Sequence, residues 1–283
     1  MNTTISNEFL SVTINDLGAE LISIKDTNNK EYMWNADPKF WNKNSPILFP
    51  IIGSIKNDTY IYNDNQYHLD RHGFARDSIF KIIKTSENSI CFSLSNSATT
   101  LVLYPFAFEL RITYTLIEKS IEVSYHVKNK SENRMPFSIG AHPAFALPNA
   151  FTDYAIEFEK EEPLISHILK DGLLTHETEG IATIDRKLPL SYSLLKNDTL
   201  IFKDLKSKQV TLLDHSTPLL RVHFDGFTTL GIWTQINAPY ICIEPWYGHA
   251  DRHTATGDLF DKEGIIALDP KEDFKTSYTI ELC

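Results

Sequence analysis

The sequence holds only three cysteines, Cys91, Cys242 and Cys283. They are far apart and odd in number, which excludes a disulfide framework and a zinc-type spacing. They are expected to be free thiols in a reducing cytoplasm. No apolar run approaches the ~20 residues that cross a bilayer. The stretch from Met1 to Phe9 lacks the basic patch and apolar core of a secretory signal, so the Asn-X-Thr triplets at Asn2, Asn57 and Asn197 are read as accidental. Positive charge is scarce: 27 Lys and Arg face 37 Asp and Glu, a net charge of −10. That balance argues against nucleic acid or an anionic membrane surface as a partner. A glycine-rich phosphate loop is missing, and so is any apolar stripe sustained at helical spacing. No solenoid-type repeat and no linker divides the chain.

What remains is a chain of 283 residues, 42% hydrophobic and 23% charged, which is ordinary for a globular protein. A chain of this size buries roughly three quarters of its unfolded surface and needs no staples. A single domain over residues 1–283 is expected. Its dominant pattern has period two. Phe108 to Leu116 and Ile121 to Lys128 alternate apolar and polar residues around a Glu118-Lys119-Ser120 link, as in an antiparallel hairpin with one dry face. His126 falls on its wet face. Similar runs lie at Phe9–Ile14, Ala19–Ile24, Ile79–Leu94, Thr199–Phe202, Val210–Leu213, Leu219–Phe224, Thr229–Thr234, Tyr240–Trp246, Ile265–Leu268 and Tyr278–Leu282. Asn63-Asp64-Asn65 marks a tight turn. Pro46 to Ser54 carries two prolines and a glycine, so an extended, bent segment is expected there. Residues 149–200 read as charged and loop-like. Many short strands with frequent turns give an all-β fold, a large antiparallel sandwich or barrel.

Three groups stand where strands meet turns and aromatics: His72, His142 and Glu244. Two imidazoles and a carboxylate suit paired acid and base work near neutral pH. Glu244 is expected to end an apolar strand, with Pro245-Trp246 turning the chain. Each of the three also has a structural reading, as a satisfied core or strand-end residue. The aromatics around Asp37-Pro38, among them Phe40 and Trp41, read as packing. His249 and His253 have the i, i+4 spacing of a helical metal motif. They lack its glutamate and its helix, so a surface loop is expected and no metal.

The strings Arg71-His72-Gly73-Phe74-Ala75-Arg76, Gly140-Ala141-His142-Pro143-Ala144-Phe145 and Cys242-Ile243-Glu244-Pro245-Trp246-Tyr247-Gly248 resemble the aldose 1-epimerase (galactose mutarotase) family. The similarity is greatest to its LacX-like branch and covers nearly the whole chain. The resemblance implies a galactose mutarotase-like β-supersandwich. It also implies interconversion of the α and β anomers of a free sugar by general acid/base ring opening. Carried over, Glu244 is the base at the C1 hydroxyl and His142 the acid at the ring oxygen, set on opposite sides of a pyranose. His72 binds the sugar near that oxygen. Arg76, Phe145 and Trp233 are candidate sugar contacts. No cofactor and no metal is implied, and the partner is a small-molecule sugar.

Two positions depart from the family pattern. Ser54 stands where many relatives carry a substrate-binding arginine, with Lys56 nearby. The hydroxyl-binding aspartate has only Asp204 as a candidate. Two alternatives remain open: hexose-6-phosphate 1-epimerase, with Arg71, Arg76 and Lys56 as phosphate seat, and a non-catalytic sugar-binding protein. Asp225, Asp251 and Asp258 offer no visible carboxylate pairing with Glu244 of the kind a glycoside hydrolase needs.

Overall fold

The structure is a computed structural model that describes all residues, Met1–Cys283. Two large antiparallel sheets dominate it. One has nine strands and runs from Lys187–Pro189 at one edge to Lys81–Thr85 at the other. Its centre is the hairpin read from sequence, Phe108–Ile117 with Ser120–Asn129, joined in register at Ile117 and Ser120. Strand Asp273–Leu282 pairs with Ser120–Asn129 on the other side. The second sheet has eight strands. Its order places Leu164–Lys170, Leu200–Lys203, Thr229–Trp233, Tyr240–Tyr247, Ile139–Ala141 and Ile47–Leu48 side by side.

Burial follows the period of two. Leu110, Ile112, Tyr114 and Leu116 join Ile121, Val123, Tyr125 and Val127 in one core with Leu230, Ile232, Ile241 and Ile243 from the eight-stranded sheet. That core fixes which way the second sheet faces. If Ile241 and Ile243 point inward, then Cys242, Glu244 and Trp246 must point to the opposite face. That face is not left to solvent: Trp34, Phe40 and Trp41 pack over it at one end, and Leu48, Ile52 and Leu174 at the other.

The Asn63-Asp64 turn has positive φ at both residues, 48° and 60°, as a two-residue hairpin turn of the primed type requires. Two expectations need correction, and one small element lies outside them. Residues 149–200 are not mainly loop: they hold strands Tyr154–Phe158, Leu164–Lys170, Leu173–Ile181 and Lys187–Pro189. The last two are edge strands of their sheets, and Leu173–Ile181 is exposed along most of its length, so little apolar alternation marks it. Glu244 does not end its strand, which continues through Pro245 to Tyr247. Finally, one short α-helix exists, Ala98–Leu103, started by a capping box in which Ser97 Oγ accepts from Thr100 N–H.

Candidate active site

Glycine at two strand positions makes the site possible. A Cβ on Gly231 would sit 2.8 Å from the Trp246 ring and 3.3 Å from Glu244 Cβ. One on Gly140 would sit 2.6 Å from Trp246 Cδ1. Trp246 therefore lies flat across its neighbours, its indole N–H donating to Ala141 O at 3.2 Å. Above this floor opens a cavity of about 390 Å³, at the small end of the ~300–1,000 Å³ typical of small-molecule sites. Its walls include Trp41, Arg71, His72, Arg76, His142, Asp198, Trp233 and Glu244.

His142 lies between strands Ile139–Ala141 and Ala144–Ala146, both of which pair with Tyr240–Tyr247. Ile243 N–H donates to Pro143 O at 3.2 Å, which seats the imidazole beside Glu244. His142 Nε2 lies 3.2 Å from Glu244 Oε2. This corrects the expected arrangement across a pyranose, because no sugar ring fits between atoms so close. A ligand in the cavity must meet both groups from the same side. Glu244 is fully buried, and neither carboxylate oxygen has a hydrogen-bond partner; His142 Nδ1 has none either. Burial pushes the Glu244 carboxyl well above the usual carboxylate range, with Arg71 pulling the other way. Burial, and then the Arg71 cation, push the His142 imidazole down to about 3. Both shifts favour the uncharged forms. The favoured state of the pair therefore has a protonated Glu244 beside a neutral imidazole.

His72 sits in the left-handed region, φ 70°, a conformation a histidine adopts only under constraint. Gly53 supplies that constraint twice. His72 N–H donates to Gly53 O at 2.9 Å, and Gly53 N–H donates to His72 Nδ1 at 3.1 Å. Arg71 Nε also donates toward His72, at 3.2 Å from Nε2. A neutral imidazole has only one lone pair to offer. The Gly53 amide is fixed in the backbone, whereas the Arg71 side chain is 47% exposed and free to swing. Burial, then the neighbouring His142, hold the His72 pKa well below its ordinary value, so the ring is neutral.

Trp41 lies tilted over His142 at 4.8 Å between centroids and 33° between planes, and Trp233 meets the same imidazole edge-on at 5.6 Å. The loop carrying Trp41 is tied down from beneath. Trp34 Nε1 donates to Trp41 O at 2.9 Å. The buried Glu20 carboxylate accepts from Asn44 and Ser45 N–H at 2.7 and 2.9 Å.

Of the residues singled out in the sequence, His72, Arg76, His142, Trp233 and Glu244 all line this cavity. Phe145 does not. It is fully buried in the inter-sheet core, paired with Ile241, because its strand places it on the face opposite His142's cavity. Arg76 lines the cavity and also lies 3.5 Å from Asp77. Lys56 is turned away: its ammonium donates to Ala255 O, outside the cavity. Asp204 is exposed and off the cavity as well. Asp198 is there instead, its Oδ1 accepting from Thr199 N–H at 2.7 Å and lying 3.9 Å from Arg71. His249 and His253 do not converge on a metal. His249 is buried with Nδ1 2.9 Å from Ala250 O, and His253 is exposed on an irregular segment. That segment is no plain surface loop, since Asp251 is buried against Lys262 at 2.9 Å.

Trp41, read as packing, and Asp198 also line the cavity, as does Arg71, expected there only as part of a phosphate seat. Arg71 stands inside the Arg71-to-Arg76 motif. Asp198 lies in the charged stretch taken as loop and had no local signal to separate it from its neighbours.

A family model described as aldose 1-epimerase matches residues 1–263. Protein LacX, plasmid, of Lactococcus lactis subsp. lactis is 38% identical over 297 residues, spanning 100% of this chain and 99% of its own. Among solved structures, a galactose mutarotase related enzyme from Lactobacillus acidophilus superposes with a TM-score of 0.96 at 36% identity, over 100% of this chain and 97% of that one. A galactose mutarotase-like protein from Lactobacillus casei gives 0.95 at 31% identity, with both chains covered at 100%.

Proposed function

The chain belongs to the aldose 1-epimerase family and is an isomerase of that kind, and from that premise we propose that it interconverts the anomers of a free hexose at the His142–Glu244 pair. The observation that supports this reading is the 3.2 Å approach of His142 Nε2 to Glu244 Oε2, two buried groups without other hydrogen-bond partners, which in this reading share one proton. When a sugar enters, its hydroxyls supply the hydrogen bonds the Glu244 carboxylate lacks. The proton then passes to His142. Glu244 takes the proton of the C1 hydroxyl, His142 gives its proton to the ring oxygen, and the C1–O bond breaks. The open-chain aldehyde forms beside a neutral acid and a neutral imidazole. That is again the uncharged state that burial favours, so ring opening leaves no buried charge behind. Rotation about the C1–C2 bond and the reverse proton transfers close the ring from its other face.

The remaining walls fit sugar binding. His72, with Nδ1 occupied by Gly53, presents Nε2–H to the ring oxygen region once Arg71 swings aside. Arg71 and Asp198 contact hydroxyls, and Arg71 offers from the next loop the guanidinium that Ser54 does not. Trp41 and Trp233 give the apolar C–H face of the sugar a flat wall. The reading is tested by polarimetry of freshly dissolved α-glucose and α-galactose with wild type and with His142→Ala. The variant should lose about 10²–10⁴-fold in rate, with an unchanged far-UV spectrum.

A second reading has one observation in its favour. Arg71 and Arg76 both line the cavity, and together they form a cationic wall that a sugar phosphate would use. The Asp198 carboxylate 3.9 Å from Arg71 opposes an anion there. Comparing kcat/KM for glucose and glucose 6-phosphate separates the two.

A further inference from the structure

We propose that His142, Cys242 and Glu244 form a latent three-ligand site for a soft divalent cation, Zn²⁺ or Cd²⁺, whose occupancy inhibits the enzyme. Cys242 and Glu244 are two residues apart on strand Tyr240–Tyr247, so their side chains share the face opposite the inter-sheet core. The neighbouring segment delivers His142 to the same face, with Ala144 paired to Cys242. One ligand atom from each of the three lies within 4.8 Å of the other two. In a tetrahedral zinc site with ~2.0–2.3 Å bonds, donor atoms are separated by roughly 3.3–3.8 Å. At 3.2 Å the His142–Glu244 pair lies just under that spacing, and small side-chain rotations would open it and bring in the thiol.

The second observation is the want of partners. Glu244 is fully buried, and both its oxygens lack hydrogen bonds. Cys242 is a free thiol with no disulfide partner. A bound cation would satisfy all three groups at once and keep its fourth position toward the cavity, the arrangement of an open zinc site. The donor set of thiolate, imidazole and carboxylate selects soft and borderline ions. Mg²⁺ and Ca²⁺ require an oxygen shell this site does not have. Binding displaces the thiol proton and the proton of the His142–Glu244 pair to solvent.

Inhibition rests on the function proposed above, because the cation would take up the electron pairs that the acid and base use. Binding itself does not rest on it. Cys242 also packs among Trp34, Ala144 and Tyr240 as a small apolar side chain, and this role is separable by experiment. In a Cys91→Ser/Cys283→Ser background, Cd²⁺ titration should give a thiolate-to-cadmium charge-transfer absorbance saturating at one equivalent. Adding Cys242→Ser should abolish it. Zn²⁺ should inhibit mutarotation reversibly, with activity restored by a chelator, while Mg²⁺ has no effect. Cys242→Ser should keep the wild-type rate and need about 10–100-fold more Zn²⁺ for the same inhibition. A cadmium band that survives Cys242→Ser, or equal Zn²⁺ sensitivity of the two proteins, overturns the proposal. If the protein proves inactive on every sugar, the absorbance titration still decides the metal site alone.

Discussion

Glu244 lies in full burial against His142, its Oε2 3.2 Å from the imidazole Nε2, with no hydrogen-bond donor at either carboxylate oxygen. A fold optimised for stability alone would not leave a carboxyl in this state, since an unpartnered buried polar group costs ~1–3 kcal/mol. The cost is intelligible if the missing partners are the hydroxyls of a ligand.

Glu244→Gln should therefore leave stability unchanged or raise it. The size of the gain depends on pH. The folded-state pKa of Glu244 is raised above its unfolded value, so between that unfolded value and the raised one the native state holds a proton the unfolded state has lost. Stability of the wild type then falls as pH rises through this window, and the glutamine variant escapes the loss. The Tm advantage of Glu244→Gln should be smallest near pH 4 and grow toward neutrality. Calorimetry across that range checks it, and a variant less stable at every pH would show that the carboxylate has a structural partner.

The pH–rate profile follows from the shared proton. The competent pair carries one proton. A second adds only near the depressed value of His142, about 3, and the one proton leaves only above the raised value of Glu244. Both kcat and kcat/KM should lack the rise through ~6.5 that an ordinary histidine would give, and should fall only as pH climbs through the raised value of Glu244. The neutral, buried His72 adds no step in this range. Initial rates at constant ionic strength measure this directly.

Asp198→Ala should raise KM with a smaller effect on kcat, because its role is to hold a hydroxyl rather than move a proton. Asp204→Ala should leave both constants at wild-type values, since Asp204 lies outside the cavity. Steady-state kinetics on the two variants distinguishes the aspartate in the wall from the exposed one.

Gly231→Ala should destabilise the protein by ~1–3 kcal/mol, because its new methyl would meet the Trp246 ring at 2.8 Å. Relief requires Trp246 to leave the cavity floor, so the rate should fall with stability. Denaturant unfolding and polarimetry on the same preparation check both.

The parts of this molecule that could be read from sequence were those with strict alternation or a compact motif. The hairpin around Glu118 and the strands Thr229–Trp233 and Tyr240–Tyr247 carry their inward and outward faces in the residue order itself. His72, His142 and Glu244 stand in dense local strings. Residues 149–200 were opaque because their edge strands bury few side chains: Leu173–Ile181 is exposed along most of its length. Asp198 was lost with them. Trp41 was taken for packing, and it does pack, against the His142 imidazole. Phe145 failed for the opposite reason. Adjacency to His142 in the chain does not give adjacency in space where successive residues face opposite sides of a sheet. Neither the alternation nor the motifs contain the separation of His142 and Glu244, which depends on how two non-adjacent segments align on strand Tyr240–Tyr247.

The most direct test of the central claim is the anomerisation rate of Glu244→Gln measured beside wild type on the best hexose of a free and phosphorylated panel. The shared-proton account predicts a fall of about 10²–10⁴-fold, with the melting temperature held or raised and sugar binding retained by calorimetry. A variant that turns over its sugar at the wild-type rate would contradict it.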